Sequence, residues 1–382
     1  MNAPAHPDPA PSTSAPPRLP GSYLVVELTN RCSLKCVHCS VSEDGHGHHE
    51  ATGYLDADLF SALVADLVSV GARFDALILF WLGEPLLHPR FEEIWREALR
   101  AAARHGTFGK IELHSNATHL SLERADVLLN QAEVPQVLHL SLDAATQATY
   151  LDVKGIDRFA QVEANVEAFL ARKAERGARW PRVVFQFIVG SNNVGEARPF
   201  RARWEQACQR LDLPVRAAAG HVPSGEDAVV FFRQLDCPTP EAQEHENALF
   251  RDEMRWQGLP LPEEAAHGEV VAAENLASCS GFWKSPVVSW RGEVTTCTRD
   301  NLLHNAVGSI RERPFSDLWW GAEMAGRRRR VACGDYGGLA LCATCFIPRS
   351  LNHTGLSEDD IRLQAAHDDA RHPAAPAGGG EG

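Results

Sequence analysis

Cys32, Cys36 and Cys39 form a CxxxCxxC loop within Glu27-Leu-Thr-Asn-Arg-Cys-Ser-Leu-Lys-Cys-Val-His-Cys-Ser40. Cuboidal iron–sulfur clusters are normally held by four thiolates. No further cysteine occurs before Cys208, so three thiolates leave one iron open to a small molecule. Zinc is the competing reading. Its loops favour CxxC pairs and want a fourth ligand nearby, which His38, His46, His48 or His49 would supply.

A second set lies near the other end of the chain. Cys279 and Cys297 bracket Trp290-Arg-Gly-Glu-Val-Thr-Thr-Cys297, and Cys342 and Cys345 form a CxxC. Val287–Trp290 and Glu293–Thr296 read as a short hairpin turning at Arg291-Gly292. Four thiolates from a hairpin and a terminal loop suit a closed zinc site or a closed cluster. Cys333 is a surplus thiol able to replace one of the four. Cys208 reads as a core residue, because free cysteines are commonly buried. Cys237 is read the same way, with a substrate-facing role as its alternative.

The elements that must position these thiols alternate between Tyr23 and Ala218. Strands are expected at Tyr23–Leu28, Ala76–Phe80, Lys110–His114, Val137–Leu142, Arg182–Val189 and Pro214–Ala218, each short and apolar as strands buried on both faces should be. Helices are expected at Ala57–Val70, Arg90–Arg104, Ser121–Gln131, Arg158–Glu175 and Gly195–Leu211. Leu59, Leu63, Leu67 and Val70 share one face of the first helix. Alternating units of this kind predict an α/β fold. The expected form is a partial (β/α)6 TIM-like barrel of parallel strands, with a small C-terminal cysteine-rich cluster-binding domain. The CxxxCxxC loop follows the first strand, placing it on the working face at the C-terminal strand ends.

The domain expectation is a disordered tail over 1–20, the barrel over 21–218 and a connector or lid over 219–278. An auxiliary cluster domain follows over 279–352, then a C-terminal helix and disordered tail over 353–382. Residues from about 367 onward read as low-complexity tail.

With its strand context, the CxxxCxxC loop resembles that of the radical S-adenosylmethionine (SAM) enzymes. The later cysteines resemble the short, twitch-type form of the SPASM extension, whose full form has seven cysteines where this segment has five. The resemblance spans residues 22–350. It implies a [4Fe–4S] cluster on Cys32, Cys36 and Cys39 that binds SAM, and an auxiliary [4Fe–4S] cluster on Cys279, Cys297, Cys342 and Cys345. It also implies that Gly83 and Glu84 of Trp81-Leu-Gly-Glu-Pro85 meet the SAM amino group through their backbone, with Leu82 standing where relatives have a first glycine. Ser115 and Asn116, then Ser141 and Asp143, would approach the ribose and methionine portions. Lys154 or Arg158 would face the SAM carboxylate, and Ile188 would pack on adenine. The plain alternatives are a helix cap for Ser115 and Asn116 and a surface position for Lys154.

The implied activity is that of a radical SAM oxidoreductase. SAM is reductively cleaved to a 5′-deoxyadenosyl radical, which abstracts a substrate hydrogen. The auxiliary cluster then accepts an electron, and Asp143 is the expected base. The reading leans to peptide modification, of ribosomally made peptides in particular, with dehydrogenation of a small-molecule alcohol or aminosugar as the alternative. Outside this class stand a zinc-stabilised interaction protein without SAM chemistry and a scaffold that keeps its clusters but has lost SAM cleavage. The expected partners are a peptide or small-molecule substrate and a low-potential electron donor such as flavodoxin or ferredoxin. A separate leader-peptide-binding protein is expected too, because only a short low-complexity stretch precedes the first strand.

Composition narrows the rest. A 382-residue chain with 44% hydrophobic residues and a net charge of -13 can build a large core but offers no basic surface for nucleic acid. Arg327-Arg-Arg-Arg330 therefore reads as a solvated helix end or a local anion contact. No apolar run is long enough for a membrane and no secretory h-region is present. Ten cysteines then fit reduced, metal-binding thiols in the cytoplasm.

Overall fold

The structure, a computed structural model, describes residues 15–39, 51–129, 133–237, 239–261, 278–345 and 356–373. In chain order the barrel elements are β1 (Tyr23–Val26), α1 (Ala57–Ser69), β2 (Ala76–Leu79), α2 (Phe91–His105), β3 (Ile111–Ser115), α3 (Leu122–Leu128) and β4 (Gln136–Ser141). Next come α4 (Gln147–Lys154), α5 (Phe159–Glu175), β5 (Arg182–Val189), α6 (Ala197–Gln209), β6 (Val215–Ala219), β7 (Ala228–Gln234) and α7 (Pro240–Trp256). The C-terminal part adds α8 (Gly281–Lys284), β8 (Val287–Val288), β9 (Glu293–Thr295), β10 (Gly308–Ser309), α9 (Phe315–Trp319), α10 (Ala322–Ala332), α11 (Ala340–Thr344) and α12 (Glu358–Arg371).

One sheet runs β10-β9-β8-β1-β2-β3-β4-β5-β7-β6. All pairs from β8 to β6 are parallel, and β8, β9 and β10 join antiparallel. The expected α/β barrel with a cysteine-rich C-terminal part is therefore present, and its parallel strands exceed the six expected. The addition is β7, which lies inside the segment read as a connector. Its Ala228-Val-Val-Phe-Phe232 run is buried and pairs with both β5 and β6. The acidic and polar stretch around it hid a strand apolar on both faces. A second missed element is α4, capped by the Thr146 side chain and closed by Gly155 at φ 69°.

The helices bury the faces their periodicity dictates. α1 turns Phe60, Leu63, Val64 and Leu67 inward, with Asp56 as its cap. Ser121, and not Ser115 or Asn116, caps α3. Phe185 of β5 stacks on Trp204 of α6, and Phe187 packs at a tilt against Phe200. Strand alternation then turns Val184, Gln186 and Ile188 to the concave side, the barrel lumen.

Both tails extend less far than expected. Leu19 is buried in the core, and Arg18 pairs with Asp75 at 2.8 Å. At the other end α12 runs to Arg371, and its Asp360 and Asp368 pair with Lys284 at 2.7 Å and Arg328 at 3.2 Å. Arg328 is thus no solvated helix end. It is buried, bonded to the Phe282 and Trp319 carbonyls, with its charge met by Asp368. Among the described residues, no helix is long and apolar enough to cross a membrane.

Candidate cofactor site

The loop carrying Cys32, Cys36 and Cys39 leaves β1 and lies across the end of α4. The N–H groups of Lys35 and Val37 donate to the carbonyls of Lys154 and Val153, both at 3.0 Å. Gly155 permits this approach, since a Cβ there would collide with the Lys35 carbonyl at a backbone already left-handed. The charges of Cys36 and Cys39 reach Cys32, so the three thiols face one region. His38 is exposed beside them; His46, His48 and His49 lie outside the described residues.

The Trp81–Pro85 turn is pressed onto the same loop. Glu84 N–H donates to the Arg31 carbonyl at 2.8 Å, and a Cβ on Gly83 would fall inside the Thr29 and Arg31 carbonyl oxygens. That requirement explains Gly83. Leu82 fits without being glycine because its backbone N–H turns to Glu27 while its side chain joins Val25, Trp81 and Val287. A cradle only glycine can make, beside three thiols, fits a cluster that shares its fourth position with the amino and carboxylate groups of SAM.

The Glu84 side chain is committed elsewhere. It accepts from Leu86 N–H at 3.1 Å, Ser115 Oγ at 2.8 Å and Asn116 N–H at 2.7 Å. Burial pushes its carboxyl up to about 7 against these donors. Glu84 and Ser115 therefore splice the ends of β2 and β3, leaving only their backbone for a cofactor. Asn116 does reach the cysteine loop, with Nδ2 3.5 Å from Cys32 Sγ and 3.3 Å from Ser33 Oγ.

Two of the expected site residues, Lys154 at the end of α4 and Asp143 just beyond β4, meet one another. Lys154 does not lie at the surface: it is 1% exposed, and Nζ is 2.5 Å from Asp143 Oδ2 and 3.2 Å from Ser141 Oγ. Asp143 is fully buried, and its Oδ1 accepts from the Ile188 N–H at 2.6 Å. Burial opposes its ionisation, but Lys154, His38 and the Ile188 N–H hold it below the ordinary value. Stabilising the ionised form in this way lowers the basicity of the carboxylate. Its contacts tie the end of α4 to the end of β5. Asn193, which the sequence reading missed, completes this junction by donating to the Asp143 and Ile188 carbonyls, both at 2.9 Å. Ile188 keeps its half-buried side chain in the lumen, and Arg158 is exposed at the start of α5.

The second thiol set gathers at the β8–β9 end of the sheet. Burial first, then the charges of Cys297, Cys345 and Cys342, push Cys279 up to about 12. Cys342 rises to about 11 through burial and its Cys297 and Cys345 neighbours, against a 3.2 Å hydrogen bond from Asn305. Cys297 accepts from Arg299 N–H at 3.3 Å. Cys333 is exposed at the end of α10. Cys208 is fully buried on α6 and Cys237 is buried just beyond β7.

Two residues join the sites. Trp81 Nε1 donates to the Thr298 carbonyl at 2.8 Å, next to Cys297. Glu27, buried at the end of β1, accepts from Trp290 N–H at 3.0 Å and from Leu82 N–H. The lumen itself holds a polar group. Glu112 and His114 of β3 and His139 of β4 converge there, with His114 stacked between His139 (4.1 Å) and Phe80 (5.2 Å). Alternation on β3 and β4 was a usable signal for this group, because His114 and His139 are register partners. Arg233, facing the lumen from β7, was invisible while that strand went unrecognised.

Known proteins bear on this geometry. The model of the radical SAM superfamily matches residues 26–196, and a model described as an iron–sulfur cluster-binding domain, SPASM, matches residues 279–346. The chain therefore carries a radical SAM domain followed by a SPASM domain. It is a radical SAM enzyme of the kind with a C-terminal SPASM domain, and SAM and [4Fe–4S] clusters are its cofactors. The tungsten-containing aldehyde ferredoxin oxidoreductase cofactor-modifying protein of Pyrococcus furiosus is 24% identical over 318 residues, 78% of this chain and 80% of that one. The antilisterial bacteriocin subtilosin biosynthesis protein AlbA of Bacillus subtilis is 25% identical, over 79% of this chain and 62% of AlbA. The structure of Streptococcus suis SuiB bound to precursor peptide SuiA superposes with a TM-score of 0.55 at 12% identity, covering 90% of this chain and 76% of SuiB.

Proposed function

We propose that the protein is an oxidoreductase that modifies a peptide, removing a hydrogen atom at one cofactor site and the accompanying electron at the other, with a proton released to water. The observation that carries this reading is the second thiol set, four cysteines gathered beside the strands that extend the sheet past β1. A cluster ligated by all four has no position for substrate and serves to accept an electron. When bound, SAM and its three-cysteine cluster supply a radical strong enough to take an unactivated hydrogen. This chain's own residues hold and orient. Cys32, Cys36 and Cys39 ligate one cluster, and Cys279, Cys297, Cys342 and Cys345 ligate the other. The backbone of Gly83 and Glu84 and the Asn116 amide bound the SAM pocket, with Ser115, Ser141 and Ile188 along its strand ends. Arg158 is left as the cation for the SAM carboxylate, and the Lys154–Asp143 pair fixes the loop beneath it. Trp81 and Glu27 keep the two sites at a set separation.

A peptide substrate is supported by the two relatives whose names concern peptides, a bacteriocin biosynthesis protein and a precursor-peptide complex. The net charge of -13 favours the second reading, a cationic aminosugar. In the cytoplasm a flavodoxin or ferredoxin would supply the electron for SAM cleavage, and a separate leader-binding protein would deliver the peptide. The test is anaerobic incubation of the two-cluster enzyme with SAM, reductant and a peptide encoded beside its gene. The expected product lacks the mass of two hydrogens and forms with 5′-deoxyadenosine. An unchanged peptide alongside an oxidised aminosugar would replace the first reading with the second.

A further inference from the structure

The barrel lumen contains donors that neither cluster uses. Glu112, His114 and His139 each place one ligand atom within 4.8 Å of the others. Glu112 Oε2 is the point of convergence, 3.5 Å from His114 Nε2 and 3.7 Å from His139 Nε2. Ligands on one tetrahedral ion with bonds of about 2.0–2.1 Å stand roughly 3.3 Å apart. The stacked imidazoles present their Nε2 edges in one direction, toward that oxygen. Bringing an ion into both ring planes needs only rotation about Cβ–Cγ, which is a broad torsion in histidine.

The polar atoms here are buried and only loosely satisfied. His139 is 8% exposed with its Nδ1 unpartnered, and the buried His114 Nε2 makes only the long 3.5 Å approach to Glu112 Oε2. Buried polar atoms normally find partners. The other carboxylate oxygen, Glu112 Oε1, is engaged by Lys110 at 2.5 Å, which orients the carboxylate and leaves Oε2 to the lumen. The cluster lies just below the cofactor end. His114 precedes Ser115, which bonds Glu84, and His139 is two residues before Ser141, which bonds Asp143.

We propose that Glu112, His114 and His139 form a third metal site, holding one divalent transition ion in the lumen with open positions for an oxygen donor of the substrate. Two imidazoles and one carboxylate are the donor set of zinc and of first-row ions such as iron(II), and three protein ligands leave coordination free. A substrate carboxylate, hydroxyl or peptide carbonyl would bind there, beneath the SAM-facing strand ends. The proposal stands whether or not the reaction is an oxidation.

The experiment uses the anaerobically reconstituted full chain, loaded to about eight irons so that the cluster cysteines are occupied. The protein is exposed to zinc, gel-filtered and counted by mass spectrometry. Wild type is expected to retain about one zinc per chain beyond its iron, as three protein ligands should. E112Q and H139N, with iron content unchanged as the check on folding, are expected to lose it. Negligible zinc on wild type, or equal zinc on wild type and both variants, would overturn the proposal.

Discussion

At the residue scale, Lys154 and Asp143 show how far type and position can mislead. Both were legible as polar residues near the cofactor face, but a sequence does not say whether such groups meet a ligand or one another. Here they meet, fully buried, beneath the cysteine loop. Removing one charge of a buried pair strands the other, at a cost of about 3–5 kcal/mol. K154M should therefore lower the thermal unfolding temperature sharply, and K154M/D143L should recover much of the loss. If the double variant is no more stable than K154M, the pair is not what holds this junction. Glu27 gives a pH prediction. Burial, opposed by the Trp290 and Leu82 N–H groups, raises its carboxyl from 4.5 to about 7. The folded chain then keeps a proton that the unfolded chain releases, so stability falls as pH rises through this window and levels above it. E27Q should remove that component from the dependence of unfolding temperature on pH; an unchanged slope would assign it to other groups.

At the scale of elements, the strands and helices of the barrel were legible because their apolar periods are unbroken. β5 matches its expected span of Arg182–Val189. β7 was not legible, since an apolar run of five residues inside a polar segment has the same pattern whether it joins a sheet or covers one. α4 is short and its Thr146 cap follows no strong apolar repeat. The two glycines that let elements touch are testable. G83A should drive the β2 turn off the Thr29–Arg31 backbone and weaken SAM binding by at least about tenfold, the equivalent of 1.4 kcal/mol, with the iron content kept. SAM affinity equal to wild type would mean that the turn is not part of the pocket. At the far end, D368A leaves Arg328 buried without its counter-charge. It should destabilise the packing of α12 on α10 by about 3–5 kcal/mol, seen as early proteolysis of the C-terminal helix before global unfolding.

For the whole molecule, the sequence carried the cysteine spacings and hence both cofactor sites, because thiol ligation is local chemistry. It did not carry their connection. Trp81 to Thr298 and Glu27 to Trp290 span 217 and 263 residues, and no local pattern encodes a contact across such a separation. Those links make the two sites one device, with β8 pairing directly on β1. The lumen group of Glu112, His114 and His139 has the same character, since it exists only once β3 and β4 are in register.

The central claim is that a second cluster is held by Cys279, Cys297, Cys342 and Cys345, with Cys333 outside it. It is tested most directly by counting iron in C342A/C345A and in C333S after identical anaerobic reconstitution. The account predicts about eight irons for wild type and C333S, and about four for C342A/C345A, each [4Fe–4S] cluster contributing four. C342A/C345A should still form 5′-deoxyadenosine with SAM and dithionite. A loss of iron in C333S, or about eight irons retained in C342A/C345A, would contradict it.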